Sequence, residues 1–183
     1  DDVHALDEPA VIEALGRLHE PFLLYVAFHA AHVPLMVPPP ETLGGWEVDP
    51  ADAHAVYTAN VVAADHELGR LLDALGDQRA NTLIIALGDN GTPRGAKEED
   101  GQDGAKGTLT EGGLRVPFIA SGPQVTARGA TDALIHVVDV FPTVMALAGV
   151  QSVDPAVDGA SLLPVIVNVT VAVSVPPCPS EIV

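Results

Sequence analysis

Apolar residues at Val11, Ile12, Leu15 and Leu18 recur at helical spacing, so residues 8–19 are predicted to form an amphipathic helix that stops before Pro21. Phe22 to Phe28, FLLYVAF, is a short aromatic and apolar run that reads as a buried strand. The proline-rich segment that follows, HAAHVPLMVPPPETLGGWEVDP, is expected to be a long irregular connection. Val56, Ala59, Ala63, Leu68, Leu71, Leu72 and Leu75 then mark a longer helix over 52–75, ended near Gly76 and Asp77. Asn81 to Leu87 reads as a second buried strand, and Leu114 to Ala120 as a third, short or at an edge because of Pro117. A helix over 139–147 follows, with Asp139 as N-cap and Gly149 as C-cap. Helix then strand, twice over, predicts an α/β fold with a mostly parallel sheet and flanking helices. Beyond DGASLLP, valines at 165, 167, 169, 171, 173 and 175 alternate with mostly small or polar residues, as in a strand with one apolar face. We therefore expect one body over 1–164 and a divergent tail over 165–183.

Composition narrows the function classes. The 183 residues, 48% apolar, are enough to bury one core. With 25 acidic against 8 basic residues, a net charge of −17 argues against nucleic acid or an anionic membrane face as partner. No run of about 18 apolar residues suggests a membrane span, and the acidic start DDVHALDEPA has no basic-then-apolar leader pattern. One cysteine, Cys178, excludes an internal disulfide and a multi-cysteine metal cage, and no base stands beside it in sequence to make it a nucleophile. The compartment is not legible.

The candidate chemistry lies at loop positions. Asp89 and Asn90 follow the predicted strand over 81–87, at the carboxyl end where open α/β sheets place ligands. A carboxylate and an amide carbonyl are hard donors suited to Ca²⁺ or Mg²⁺, although two are too few for a complete site and Asp-Asn-Gly also makes an ordinary tight turn. Lys106, one of only two lysines, sits in GAKGT between small neighbours that leave its backbone open to a ligand; the spacing is not that of a phosphate-binding Walker loop. A point charge there suits sulfate or phosphate oxygens, against the alternative of a solvated loop lysine. His29 and His32 follow the FLLYVAF run, where an imidazole can donate to an anionic oxygen or move a proton. The run Glu98, Glu99, Asp100 and Asp103 reads as a solvated loop, and Asp65-His66 and His136 near Asp139 as local polar contacts.

Five ordered segments resemble the sulfatase family of the alkaline phosphatase superfamily: PFLLYVAFHAAHVP, LIIALGDNG, GAKGTLTEGGLRVPFIASGP, HVVDVFPTVMALAGV and DGASLLP. The lysine loop followed by Glu-Gly-Gly and Arg-x-Pro is the most specific, and the similarity runs from about Pro21 to Pro164. The resemblance implies part of an alkaline-phosphatase-like sandwich. It also implies Asp89 and Asn90 as ligands of a divalent cation, usually Ca²⁺, and Lys106 and His32 as catalytic residues that hold the sulfate of a sulfate ester substrate, with His29 as a secondary substrate contact. All would line one cleft.

Two features of that family are missing from the sequence. Asp1-Asp2 precedes a helix rather than following an apolar strand, so it does not match the family's first Asp-Asp metal pair. Cys178-Pro179-Ser180-Glu181 lacks the arginine of the Cys/Ser-x-Pro/Ala-x-Arg motif whose Cys or Ser becomes formylglycine. The expectation is a sulfuric ester hydrolase represented by the carboxyl-terminal part of its catalytic domain, inactive alone. Phosphomonoester or phosphonate ester hydrolysis, or a non-catalytic ion-binding remnant, are the alternatives.

Overall fold

The computed structural model describes residues 8–97, 103–126, 129–150 and 154–168. They divide into two units: residues 8–77, 91–97 and 103–114 form the first, and 78–90, 115–126, 129–150 and 154–168 the second.

In the first unit, helix α1 spans Glu8–Leu15, shorter than the predicted 8–19. Single turns follow it, with Arg17 N–H donating to Ala14 O and Leu18 N–H to Leu15 O. Helix α2, Ala53–Ala74, matches its prediction closely. Asp52 caps it from an extended conformation, its Oδ1 accepting the His54 and Ala55 N–H groups at 2.9 and 3.0 Å, which satisfies two of the free donors at the helix start. The buried face carries Val56, Ala59, Asn60 and Ala63. Phe22–Phe28 is extended but belongs to no ladder among the described residues, contrary to the strand expected there. Exposure alternates along it, with Leu23 69% and Tyr25 86% exposed. The aromatic and apolar run does adopt an extended backbone; pairing also needs neighbouring edges.

The chain from Asp103 to helix α3, Glu111–Leu114, folds onto itself through glycine. A Cβ on Gly112 would lie 2.7 Å from Gly104 O, one on Gly113 would lie 2.8 Å from Ala105 O, and one on Gly91 would lie 2.8 Å from the Gly113 Cα. A Cβ on Gly104, whose φ of 84° already favours glycine, would run into the Thr108 and Thr110 hydroxyls. These glycines let backbone pack on backbone at distances no other residue permits.

In the second unit, β1, Ile84–Leu87, pairs with β2, Phe118–Ser121, in the register Ile84 to Ser121 and Leu87 to Phe118. This two-stranded ladder is antiparallel; no parallel pair forms among the described residues. β2 starts four residues later than predicted because Leu114 closes α3 and Pro117, with no N–H to give, stands at the strand entrance. Ala120, Leu162 and Ile166 form the core, with Leu83, Phe118, Val125, Ile135 and Leu163 against it.

Helix α4, Val140–Leu147, is capped otherwise than predicted at its start and as predicted at its end. Asp139 has helical dihedrals and does not cap α4; instead His136 caps the preceding single turn, Val137–Asp139, and Asp139 Oδ2 accepts the His136 N–H at 2.8 Å in return. Gly149, at φ 78°, ends the helix in a Schellman arrangement: its N–H donates to Ala146 O and the Val150 N–H to Met145 O. The start of the valine-alternating segment is helical rather than extended, as α5, Leu163–Asn168. Leu162 and Ile166, four apart and both buried, set a helical period there that overrides the alternation, and Pro164 fits a first turn. The rest of that segment lies outside the described residues, as do Asp1-Asp2 and Cys178. No described helix is long and apolar enough to cross a membrane.

Gly113→Ala is expected to lower stability by about 1–3 kcal/mol, from overpacking against rigid backbone. Gly95→Ala, whose Cβ would meet nothing within 4 Å, should leave it nearly unchanged. Urea midpoints of the two variants check this.

Candidate functional site

The expected site residues divide between the two units. Asp89 and Asn90 lie in the second, immediately after β1 and Gly88, whose N–H donates to Pro117 O at 2.9 Å. Asp89 is exposed and Asn90 half-buried, so the strand-end position read from the sequence is where the chain places them. His29, His32 and Lys106 lie in the first unit.

His29 and His32 share one turn. The His32 N–H donates to His29 O at 3.0 Å and the ring centroids stand 5.7 Å apart. Between them Ala31 has φ 71°, a left-handed conformation that costs a residue with a Cβ about 1–2 kcal/mol. Strain of this kind collects where geometry serves a site. His32 Nδ1 lies 2.7 Å from Val33 O. A carbonyl only accepts, so Nδ1 carries a proton and Nε2 is the atom left for a ligand.

Lys106 is exposed at the tip of the self-packed loop. Its backbone N–H donates to Thr92 O at 2.8 Å. Thr92 Oγ1 is 3.4 Å from the Tyr57 hydroxyl on α2, and His54, three residues before Tyr57, meets Ala96 O through Nδ1 at 2.9 Å. Below the lysine, Thr108 Oγ1 donates to Ala105 O at 2.7 Å and Thr110 Oγ1 to Asp103 O at 2.7 Å. The loop glycines therefore hold the lysine's platform in one shape, a larger role than the open approach to a ligand read from sequence.

Sequence reasoning missed the residues that brace these groups. Asn60, 1% exposed, donates through Nδ2 to Met36 O at 2.9 Å and to Val56 O at 2.7 Å, which ties the proline-rich connection to α2 four residues beyond His32. An amide on the apolar face of α2, beside Ala59 and Ala63, was the available signal. Tyr57, Thr92, Thr108 and Thr110 had none. Asp65 and His66 take no part in the site; His66 Nε2 lies 3.9 Å from Glu67 Oε1. Asp103 is described, whereas Glu98, Glu99 and Asp100 lie outside the described residues.

Asp89 and Asn90 fit a hard divalent cation by donor type, but they supply two of the six to eight oxygens that Ca²⁺ takes. Among the described residues no group of three or more His, Cys, Asp or Glu is placed to hold a metal.

A strand-end Asp-Asn pair and a braced loop lysine thus stand on an α/β chain, and comparison with known proteins gives that chain its family. The family model described as Sulfatase matches residues 8–150, so this chain belongs to the sulfatase family. It is 31% identical over 174 residues to a sulfatase of Formosa agariphila, covering 85% of this chain and 31% of that protein. It is 36% identical over 155 residues to arylsulfatase G of Mus musculus, covering 75% and 28%, and 35% identical over 159 residues to human N-acetylgalactosamine-6-sulfatase, covering 82% and 29%. The crystal structure of Ps i-CgsB in complex with k-i-k-neocarrahexaose superposes with a TM-score of 0.75 at 28% identity, over 88% of this chain and 37% of that one. The chain thus spans under a third of the curated relatives it matches.

Two substitutions test the bracing. Ala31→Val should cost about 1–2 kcal/mol while Ala31→Gly is tolerated, because only the first worsens a left-handed residue. Asn60→Ala should cost about 1–3 kcal/mol and speed proteolysis within residues 33–50, since the Met36 carbonyl loses its buried donor. Denaturation midpoints and limited proteolysis measure both.

Proposed function

We propose that this chain supplies the cation-binding and sulfate-holding part of a sulfuric ester hydrolase. Asp89 and Asn90 are donors to a divalent cation, Ca²⁺ in the first place; Lys106 and His32 hold the sulfate and act in catalysis, and His29 is a secondary contact. The observation that carries the reading is the glycine-locked, hydrogen-bonded loop that presents Lys106, lying within the segment matched by the sulfatase family. A mostly parallel sandwich, with Phe22–Phe28 paired inside it, belongs to this reading of the whole catalytic domain.

Each residue has a physical task. A bound cation would offset charge on the sulfate oxygens and on the departing ester oxygen. Lys106 contributes a fixed ammonium whose platform does not rearrange as negative charge develops. His32 meets sulfate through Nε2, and because a sulfate oxygen only accepts, that contact requires the imidazolium. The chain contains no Cys/Ser-x-Pro/Ala-x-Arg, so the formylglycine nucleophile is not among its own residues and it does not turn over sulfate esters by itself.

Calorimetry on the chain tests these roles. Sulfate binding should be weak, on the order of millimolar, and lost in Lys106→Ala, because one fixed charge against a solvated anion yields little affinity. His32→Gln, which has no imidazole Nε2 to present, should weaken it as well. Ca²⁺ binding should vanish in Asp89→Ala. Sulfate binding unchanged in Lys106→Ala would overturn the assignment. Hydrolysis of p-nitrophenyl sulfate by this chain alone, dependent on metal and Lys106, would overturn its dependence on an outside nucleophile; faster hydrolysis of p-nitrophenyl phosphate would favour the phosphoester class.

A further inference from the structure

Both lysines of this chain and one of its six arginines fall between positions 94 and 106, although the chain as a whole carries a net charge of −17. Arg94 and Lys97 line a cavity of ≈ 510 Å³ in the first unit, together with Asp103, Gly104, Ala105 and Thr108. Lys106 is not a lining residue, but it follows Ala105 directly, so the cavity shares a wall with the lysine loop.

The cations of this cavity are not neutralised by described neighbours. Arg17 and Arg70 pair with Glu13 and Glu67. No such pair joins Arg94 or Lys97 to any described carboxylate, including Asp103 in the same cavity. The walls are also fixed before any ligand arrives. The turn Arg94–Ala96 is tied to α2 through His54, and the Thr108 hydroxyl already donates to Ala105 O. The polar groups left to a ligand are therefore a guanidinium, an ammonium and a separate carboxylate. A guanidinium and an ammonium together suit a tetrahedral or planar oxyanion, and a carboxylate apart from them suits a hydroxyl donor. A preformed wall spares much of the ordering cost of binding.

We propose that this cavity is a second-anion subsite, which selects saccharide substrates carrying a further sulfate beside the ester held at Lys106. The proposal deepens the sulfatase reading and rests on it for the role of Lys106. Arg94 and Lys97 take the second sulfate, and Asp103 accepts from a sugar hydroxyl. The cavity thereby sorts substrates by charge pattern while the chemistry proceeds at the neighbouring group.

The test is calorimetric titration of the chain with lactose 6′-sulfate and with lactose 6,6′-disulfate at millimolar concentration. The disulfate is expected to bind about five- to tenfold more tightly, as two charge-assisted contacts at a solvent-facing site allow. The double variant Arg94→Ser with Lys97→Ser should erase that advantage and leave monosulfate affinity unchanged; circular dichroism checks that it remains folded. Lys106→Ala should weaken both sugars. Equal affinity for the two sugars, no binding of either, or a preference that survives in the double variant would overturn the subsite. If Lys106→Ala leaves monosulfate binding intact while the double variant still erases the preference, the role of Lys106 fails and the cavity stands as an anion site.

Discussion

The close approach of backbone to backbone around Gly91, Gly104, Gly112 and Gly113 is the constraint on which the candidate site depends. The Lys106 side chain is exposed, and no hydrogen bond or ion pair to it is found among the described residues. Its position comes from the peptide beneath it, through the bond from its N–H to Thr92 O and the threonine hydroxyls turned inward on the loop. Those contacts exist only because four positions carry no Cβ. A charge meant to act on an oxyanion gains from being fixed before the ligand arrives, since a group that need not reorient loses less on binding.

The second unit solves the equivalent problem with one carboxylate and one hydroxyl. Asp139 uses Oδ2 on the His136 N–H and Oδ1 on the Ala160 N–H, both at 2.8 Å, which fastens the chain before α5 to the start of α4. Thr143, fully buried, donates to Asp139 O at 2.6 Å and accepts from the Leu162 N–H at 2.8 Å. Leu162 is thereby delivered to the core beside Ala120 and Ile166. Gly159 allows the close pass, because a Cβ there would lie 2.7 Å from Val138 O. The segment DGASLLP thus has a structural meaning in this chain: a glycine and a small residue let one aspartate clamp two elements.

How far the sequence revealed this depends on which interaction fixes each part. Helix α2 was legible because its apolar period and its Asp52 cap are local, and the Gly149 terminus was legible for the same reason. The strand at Phe22–Phe28 was legible in backbone shape only, because ladder partners are a property of the whole sheet. The parallel order is likewise not found among the described residues: β1 and β2 pair antiparallel, and no local pattern encodes strand direction. At α5 two periods competed, and burial of Leu162 and Ile166 decided for the helix. Among the candidate site residues, Asp89, Asn90, His29, His32 and Lys106 stood out by residue type and neighbours. Asn60, Tyr57 and Thr92 did not, since bracing is visible only once the chain has folded.

The loop around Lys106 leaves little room for gradual change. Its four close-packed glycines are closed to any side chain, and Gly107, at φ 83°, favours glycine by its backbone alone, while Leu109, 89% exposed, is open on the outer side. Relatives that diverge in what they recognise would have to vary along that outer rim. Sequence drift at the four glycines would dismantle the lysine's seat long before it altered a preference.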